Sequence, residues 1–383
     1  MSQETADRIV ATSQETADVI ALNEIQKRDP GARLLKTLDA TAQLVSLPGG
    51  FSALSAAFSG QPPIFLRHLF PVRLSLPLDQ WQESGPAALP PALHALTQKM
   101  TDGVPASVQM RCSSEGADRD FAASAAHAVM DRIGGRGLPY SKRAPGQILS
   151  LYFDRDTVYA GLSSPAENLS AYNGGQRMFR REDGMISRAE FKLLEALEVF
   201  PFILPQEGTA LDLGAAPGGW TRILLERGMT VTAVDPARLH PSLENDPRVI
   251  HFQGVSQKYN GRPGSMDLLV NDMRMEPGDS ARILLEMRSL LRPAGQAVIT
   301  LKLAKKQWYK QTMKAVELLS RGYEIAGVRQ LFNNRSEVTV FLKNRLCPPF
   351  SYGPSQTAAG SPAVSSFEEM TKGSGIKSLP FFS

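Results

Sequence analysis

The spacing of apolar positions changes along this chain, and the expected element changes with it. From Arg8 to about Leu76 the short apolar runs VIAL, QLVSL and VRLSL predict strands, with a helix around Gly50 to Phe58, so residues 1–80 read as a small β/α unit. Residues 77–91, PLDQWQESGPAALPP, are polar and proline-rich, which predicts a boundary. Over 90–165 the strand-like SVQMRC precedes the alanine-rich RDFAASAAHAVMDRIGG, whose Gly134–Gly135 pair marks a helix C-terminus, and the strand-like QILSLYF and TVYAGLS follow. That is a second small α/β unit.

Residues 166–186, rich in Ser, Asn, Gly and Arg, predict a linker. In the following SRAEFKLLEALEVF, Ser187 and Glu190 have capping-box spacing ahead of a helical apolar face with Phe191, Leu194 and Leu197. Lys192 then falls near the helix start, where a cation opposes the helix dipole. Either a function holds it there or it forms a surface pair with Glu195.

From Gly208 onward, apolar strand patterns alternate with helical ones. TALDL, TVTAV, RVIHF, DLLVN, QAVITLKL, YEIAGVRQL and EVTVFLK read as strands, with helices at about 219–227, 279–291 and 307–321. The alternation predicts a doubly wound, mostly parallel α/β sheet over 187–345, its last two strands joined by FNNRS as an antiparallel edge hairpin. Residues 346–383, rich in Pro, Ser, Gly and Thr and without apolar periodicity, are expected to be a flexible tail.

Composition narrows the class more than the function. A chain of 383 residues has room for two or three domains, and 42% hydrophobic with 21% charged residues exclude a fibrous or a disordered protein. Cys112 and Cys347 are too few for a disulfide framework or a zinc site, so a reducing, cytoplasmic setting and no metal are expected. The first residues lack the pattern of a signal peptide and no run of 18 apolar residues occurs, so no membrane span is expected either. The hexamer SQETAD, at Ser2–Asp7 and Ser13–Asp18, has no third copy and does not signal a solenoid. Net charge is only +4, yet residues 292–345 hold eleven Lys and Arg against three Glu. A nucleic-acid footprint and a solvated lysine-rich face both give that count. The same two readings apply to the loop GGRGLPYSKRAPG, with Arg136, Lys142 and Arg143 beside Tyr140.

Candidate chemistry gathers in the last third. In LDLGAAPGGW, Gly214, Gly218 and Gly219 remove side chains where a backbone turns and a ligand approaches, and Asp235 ends the next strand, where a carboxylate accepts from a ribose diol. The loop lacks a Walker Gly-Lys-Ser/Thr, and Ala216 replaces the second glycine of a dinucleotide fingerprint. S-adenosylmethionine, with a ribose and no pyrophosphate, suits it better than NAD. Asp272, Lys302 and Glu337 stand at or near strand ends, where a lone charge is ordinarily just solvated. Among methyl acceptors, an exocyclic amine calls for Asn/Asp-Pro-Pro-aromatic, which Asn271–Arg274 lacks, and a pyrimidine carbon needs a cysteine that neither Cys112 nor Cys347 supplies. An alcohol remains. Its weak acidity calls for a base or positioning group, a role a lysine can fill beside a second cation and held by carboxylates.

SRAEFKLLEAL, LDLGAAPGGWT, VNDM, ITLKL and VRQLFNNRSEVTV resemble the FtsJ-like ribose 2′-O-methyltransferases, specifically over residues 155–343. Their spacing is most like the branch that modifies cytidine in large-subunit rRNA. The resemblance implies a Rossmann-like S-adenosylmethionine-dependent methyltransferase sheet behind a ferredoxin-like unit and a THUMP-like, RNA-binding unit. It implies Lys192, Asp272, Lys302 and Glu337 as a catalytic tetrad, with Lys302 nearest the 2′-hydroxyl. Gly214, Pro217, Gly218, Gly219 and Trp220 would form the cofactor loop, with Asp212, Ala215, Asp235 and Asp272 beside it. The implied partner is RNA, 23S rRNA or a large-subunit precursor. Departures are visible: where the family offers an acid near the adenine, this chain reads Gln253-Gly254-Val255-Ser256, and Ala216 stands where that branch carries Cys. The alternatives are an RNA-binding assembly factor with the same fold and little turnover, and a methyltransferase for a small-molecule or protein hydroxyl.

Overall fold

The computed structural model describes residues 6–114, 118–304 and 306–345. The expected tail 346–383, Cys347 and most of the first SQETAD copy lie outside the described residues.

The first sheet is built from β1 (Asp7–Thr12), α1 (Asp18–Gln26), β2 (Arg33–Asp39), β3 (Ala42–Leu47), α2 (Phe51–Gly60) and β4 (His68–Pro71). Its order is β2-β3-β1-β4 with antiparallel neighbours, so the chain follows the split β-α-β-β-α-β path of ferredoxin-like units. VIAL, expected as a strand, lies in α1. Its burial follows a helical period, with Ala21 and Ile25 in the core and Val19 on the surface, and four apolar residues are too few to tell the two periods apart.

The second sheet holds β5 (Leu74–Pro77), α3 (Leu78–Ser84), α4 (Pro91–Gln98), β6 (Ala106–Cys112), α5 (Arg119–Gly134), β7 (Gln147–Phe153) and β8 (Thr157–Ser163), in the order β5-β8-β7-β6. It corrects the expected boundary at 77–91. Leu74–Pro77 is an edge strand of this sheet, where prolines are tolerated, and Trp81 is buried against Phe121 and Phe153. The first unit therefore ends before Leu74. The proline-rich stretch carries two short helices that cover the second sheet, and proline at the first turn of α4 satisfies a position with no intrahelical donor to lose.

The third sheet follows α6 (Glu190–Val199) and comprises β9 (Thr209–Leu213), α7 (Gly219–Glu226), β10 (Thr230–Val234), α8 (Pro241–Glu244), β11 (Val249–Phe252), β12 (Met266–Asn271), α9 (Pro277–Glu286), β13 (Leu291–Lys302), α10 (Trp308–Leu319), β14 (Tyr323–Arg329) and β15 (Glu337–Asn344). The order is β11-β10-β9-β12-β13-β15-β14, parallel except where β15 pairs with β13 and β14. β14 is thus the edge and β15 lies inside. Apolar clusters cover both faces, one around Leu211, Leu269 and Ile299 and the other around Leu224, Val231 and Phe341, as a sheet buried on both sides requires. The strand order reverses between β9 and β12, the place where doubly wound sheets open a crevice beyond their strand ends. All three sheets belong to one compact unit. Among the described residues no helix is long and apolar enough to cross a membrane.

Candidate active site

The loop between β9 and α7 runs through Gly214, Ala215, Ala216 and a cis peptide to Pro217, then enters α7 at Gly218. Gly218 has φ +112°, and a Cβ there would sit 2.2 Å from Leu243 Cδ1 of α8. Gly219 begins the helix, and a Cβ on it would meet Ser187 Oγ at 2.3 Å. Both positions need glycine because the backbone is wedged between neighbouring elements. Asp235, just past β10, accepts from Ala216 N at 3.1 Å and from Ala237 N at 2.8 Å, which fixes its carboxylate at the loop.

Two residues expected beside a cofactor sit elsewhere. Asp212 is buried beneath the loop, accepts from Thr221 Oγ1 at 2.7 Å, and has its carboxyl pushed up to about 7, chiefly by burial. Trp220 lies in the core and donates from Nε1 to Ala189 O at 2.8 Å, tying α7 to the start of α6. Their side chains brace the loop from behind. An apolar or acidic residue in a glycine motif does not reveal in sequence which way it points.

The capping box forms by halves. α6 starts at Glu190, later than Ser187 predicts, and the Ser187 hydroxyl makes no hydrogen bond to any described residue, whereas Glu190 Oε1 accepts from Ile186 N at 2.7 Å and Ser187 N at 3.1 Å. The other oxygen, fully buried, takes Arg222 Nη2 of α7 at 2.8 Å. A buried carboxylate with two backbone donors and a guanidinium is well satisfied, so α6 and α7 are locked together at their first turns.

That lock delivers Lys192 to the strand ends, where it leaves Glu195 and meets other carboxylates. Lys192 Nζ lies 3.2 Å from Asp272 Oδ1, 3.3 Å from Oδ2 and 2.7 Å from Glu337 Oε2. Asp272 follows β12, while Lys302 ends β13 directly opposite Glu337, the first residue of β15. Lys302 Nζ donates to Asp272 Oδ1 and stands 3.2 Å from Glu337 Oε1. Two cations and two carboxylates thus share one cluster, each side chain 14–17% exposed. Burial alone would lower the Lys192 ammonium, but Asp272 and Glu337 outweigh it and hold its pKa above the usual lysine range. Thr300, two residues before Lys302 and hence on the same face of β13, donates to Asp272 Oδ1 and accepts from Lys302. The sequence reading missed it. Period-two spacing from Lys302 was the signal available.

The expected linker is docked on this domain. Arg177 pairs with Glu198 of α6 at 2.7 Å, its guanidinium lies 4.0 Å from the Phe179 ring centroid, and Phe179 stacks on Phe191 at 5.5 Å. In the loop read as a possible RNA edge, Arg136 is occupied by Asp102 at 2.9 Å and the Met100 carbonyl at 3.3 Å, while Tyr140 is exposed. Among the described residues no group of His, Cys, Asp and Glu is arranged to hold a metal.

Residues 185–326 match the family of FtsJ-like methyltransferases. The FtsJ-like span contains the glycine loop, Lys192, Asp272 and Lys302, and Glu337 lies just past its end. The chain is similar to the ribosomal RNA large subunit methyltransferase M of Laribacter hongkongensis, 38% identical over 171 residues, which are 41% of this chain and 47% of the relative. It is likewise similar to that of Marinobacter nauticus, 33% identical over 222 residues, 53% of this chain and 60% of the relative. The chain thus spans about half the length of the curated relatives it matches. Among solved structures, TrmN from Thermus thermophilus is 14% identical with a TM-score of 0.34, covering 89% of this chain and 100% of that one.

Proposed function

We propose that this chain is an S-adenosylmethionine-dependent RNA 2′-O-methyltransferase acting on large-subunit (23S) rRNA. The observation that carries the reading is the Lys192–Asp272–Lys302–Glu337 cluster at the strand ends, beside a glycine loop and Asp235. The donor set fits the cofactor. Among the described residues Asp235 accepts from only two N–H groups, and a carboxylate has about four acceptor sites, so it would hold a ribose diol, with the 214–219 backbone alongside. Exposed Val255 and the Gln253–Ser256 backbone, which offer no acid, would face the adenine.

When bound, S-adenosylmethionine supplies an electrophilic methyl group. The chain supplies the acceptor's handling. Asp272 and Thr300 aim Lys302 Nζ, Glu337 and Lys192 close the cluster from the other side, and the partial exposure of Lys302 leaves it within reach of a substrate hydroxyl. Lys302 would first give its own proton to solvent, and as the neutral amine would orient the 2′-hydroxyl and take its proton as the oxygen attacks in line. Asp272 and Glu337 lie against the ammonium that results. The second sheet, with Lys142 and Arg143 beside exposed Tyr140, is proposed as the THUMP-like RNA-binding unit, and a cytoplasmic setting accords with the cysteine content.

The test uses the full chain, methyl-labelled S-adenosylmethionine and total RNA from cells lacking the protein, followed by digestion to nucleosides. Label in a 2′-O-methylnucleoside derived from 23S rRNA is the expected result. Label on a base, or none despite cofactor binding, contradicts the reading, and tight salt-dependent RNA binding without transfer would point to an assembly factor.

A further inference from the structure

The 330–334 segment, between β14 and β15, is held by side chains from two other parts of the molecule. Arg67, just before β4 of the first sheet, is buried and donates from Nε to Gln330 O at 3.3 Å and from Nη2 to Leu331 O at 2.9 Å and Asn334 O at 3.0 Å. Glu195 of α6, also buried, accepts from Phe332 N at 2.9 Å, from Asn333 N at 2.8 Å and from Asn333 Nδ2 at 2.7 Å. One side chain collects the segment's carbonyls and the other its N–H groups. The join is reciprocal: Arg329 Nη2 donates to Leu66 O at 3.3 Å and Gln330 N to Ile64 O at 2.7 Å. Glu24 of α1 in turn accepts from Ile64, Phe65 and Leu66 N at 2.7, 3.0 and 2.9 Å.

Both ends of this arrangement lead to the charged cluster. Glu195 lies one helical turn after Lys192, and Asn334 Oδ1 accepts from Thr339 Oγ1 at 2.9 Å, two residues after Glu337 on β15. We propose that the first sheet completes the catalytic site, Arg67 acting as a positioning residue that sets Glu337 through the 330–334 segment and Lys192 through Glu195. The inference rests on the proposed role of the cluster in methyl transfer. A guanidinium has a planar fork of donors matched to several acceptors at once, so its loss takes a donor from three carbonyls, of which Leu331 O keeps Asn334 N, and removes one of the two guanidiniums, the other being Arg329, near Glu195. A displacement of about 1 Å at Glu337 suffices to slow a positioned reaction by up to about 100-fold.

The experiment compares wild type, Arg67→Met, Arg67→Lys and Asn333→Ala in the full chain. It measures kcat and KM for RNA, the affinity and stoichiometry of S-adenosylhomocysteine binding, and the titration of the Lys192 ammonium by NMR. Arg67→Met should lower kcat by about 10- to 100-fold, with KM for RNA and the cofactor-product affinity within about twofold. Arg67→Lys should recover part of the rate, and Lys192 should titrate closer to the ordinary lysine range once Glu337 is loosened. Should Arg67→Met fail to fold, Asn333→Ala, which loses only side-chain bonds to Glu195 and the Arg177 carbonyl, should still lower kcat severalfold. An unchanged kcat and an unchanged Lys192 titration in a folded variant overturn the inference, as does a rate loss that merely follows the fraction able to bind S-adenosylhomocysteine. If wild type itself transfers no methyl, the proposed function fails, and the Lys192 titration alone still decides this inference.

Discussion

Two regions of this molecule use the same side-chain chemistry to opposite ends. In the Lys192–Asp272–Lys302–Glu337 cluster, charges contact one another and remain partly exposed. Around the 330–334 segment, Arg67 and Glu195 are buried and make their hydrogen bonds chiefly to backbone, with Asn333 Nδ2 as a side-chain donor to Glu195. A charge shared among partly exposed side chains can exchange partners or a proton at modest cost. One that satisfies buried main-chain groups cannot, because removing it strands several polar atoms at once. Exposure and partner type, more than residue type, separate the part proposed to react from the part that holds.

The comparison predicts a rate effect with little stability effect on one side, and a large stability effect, with any rate effect carried through positioning, on the other. Lys302→Ala should lower methyl transfer by about 10²- to 10⁴-fold in single-turnover assays, while unfolding in urea stays within about 1 kcal/mol of wild type. Glu195→Ala should cost about 3–5 kcal/mol of stability in the same titration, since it uncouples buried Arg67 and strands the N–H groups of Phe332 and Asn333. A stable Glu195→Ala protein would erase the distinction between the two regions. Gly218→Ala, at φ +112° against Leu243, should cost about 1–3 kcal/mol and weaken S-adenosylhomocysteine binding measured by calorimetry.

A smaller effect concerns Asp212, whose carboxyl is raised from 3.8 to about 7 in the fold. A raised carboxyl favours the folded state while protonated, so its contribution is full below pH 3.8 and is lost as pH rises through about 7. Asp212→Asn should flatten the pH dependence of the thermal midpoint over that window and raise the midpoint at pH 8 by about 2–4 °C. The smallest effect should be Lys27→Ala, which removes an exposed contact to Tyr309 at 4.1 Å from the ring centroid and should change stability by no more than about 1 kcal/mol.

Much of the third sheet was legible because its strands are buried on both faces and read as apolar runs between glycine turns, with helix positions found to within a few residues. Asp272, Lys302 and Glu337 were legible as charges at strand ends and Lys192 as a cation near a helix start, and the Lys302–Glu337 register pair shows why those two positions meet. What escaped was orientation. Nothing in the local pattern told that Asp212 and Trp220 face the core, or that Glu195 would leave Lys192 for the backbone of residues 332 and 333. The boundary at 77–91 misled because proline at an edge strand and at a helix start looks, in sequence, like proline in a linker. Arg67, far from Glu195 in the chain, carried no sequence signal.

The most direct test of the account is single-turnover methyl transfer from labelled S-adenosylmethionine to 23S rRNA lacking the modification, by wild type and Lys302→Ala at saturating cofactor. The account predicts label in a 2′-O-methylnucleoside with wild type and at least a 100-fold slower reaction in the mutant, with cofactor affinity unchanged. Equal rates in the two proteins would contradict it.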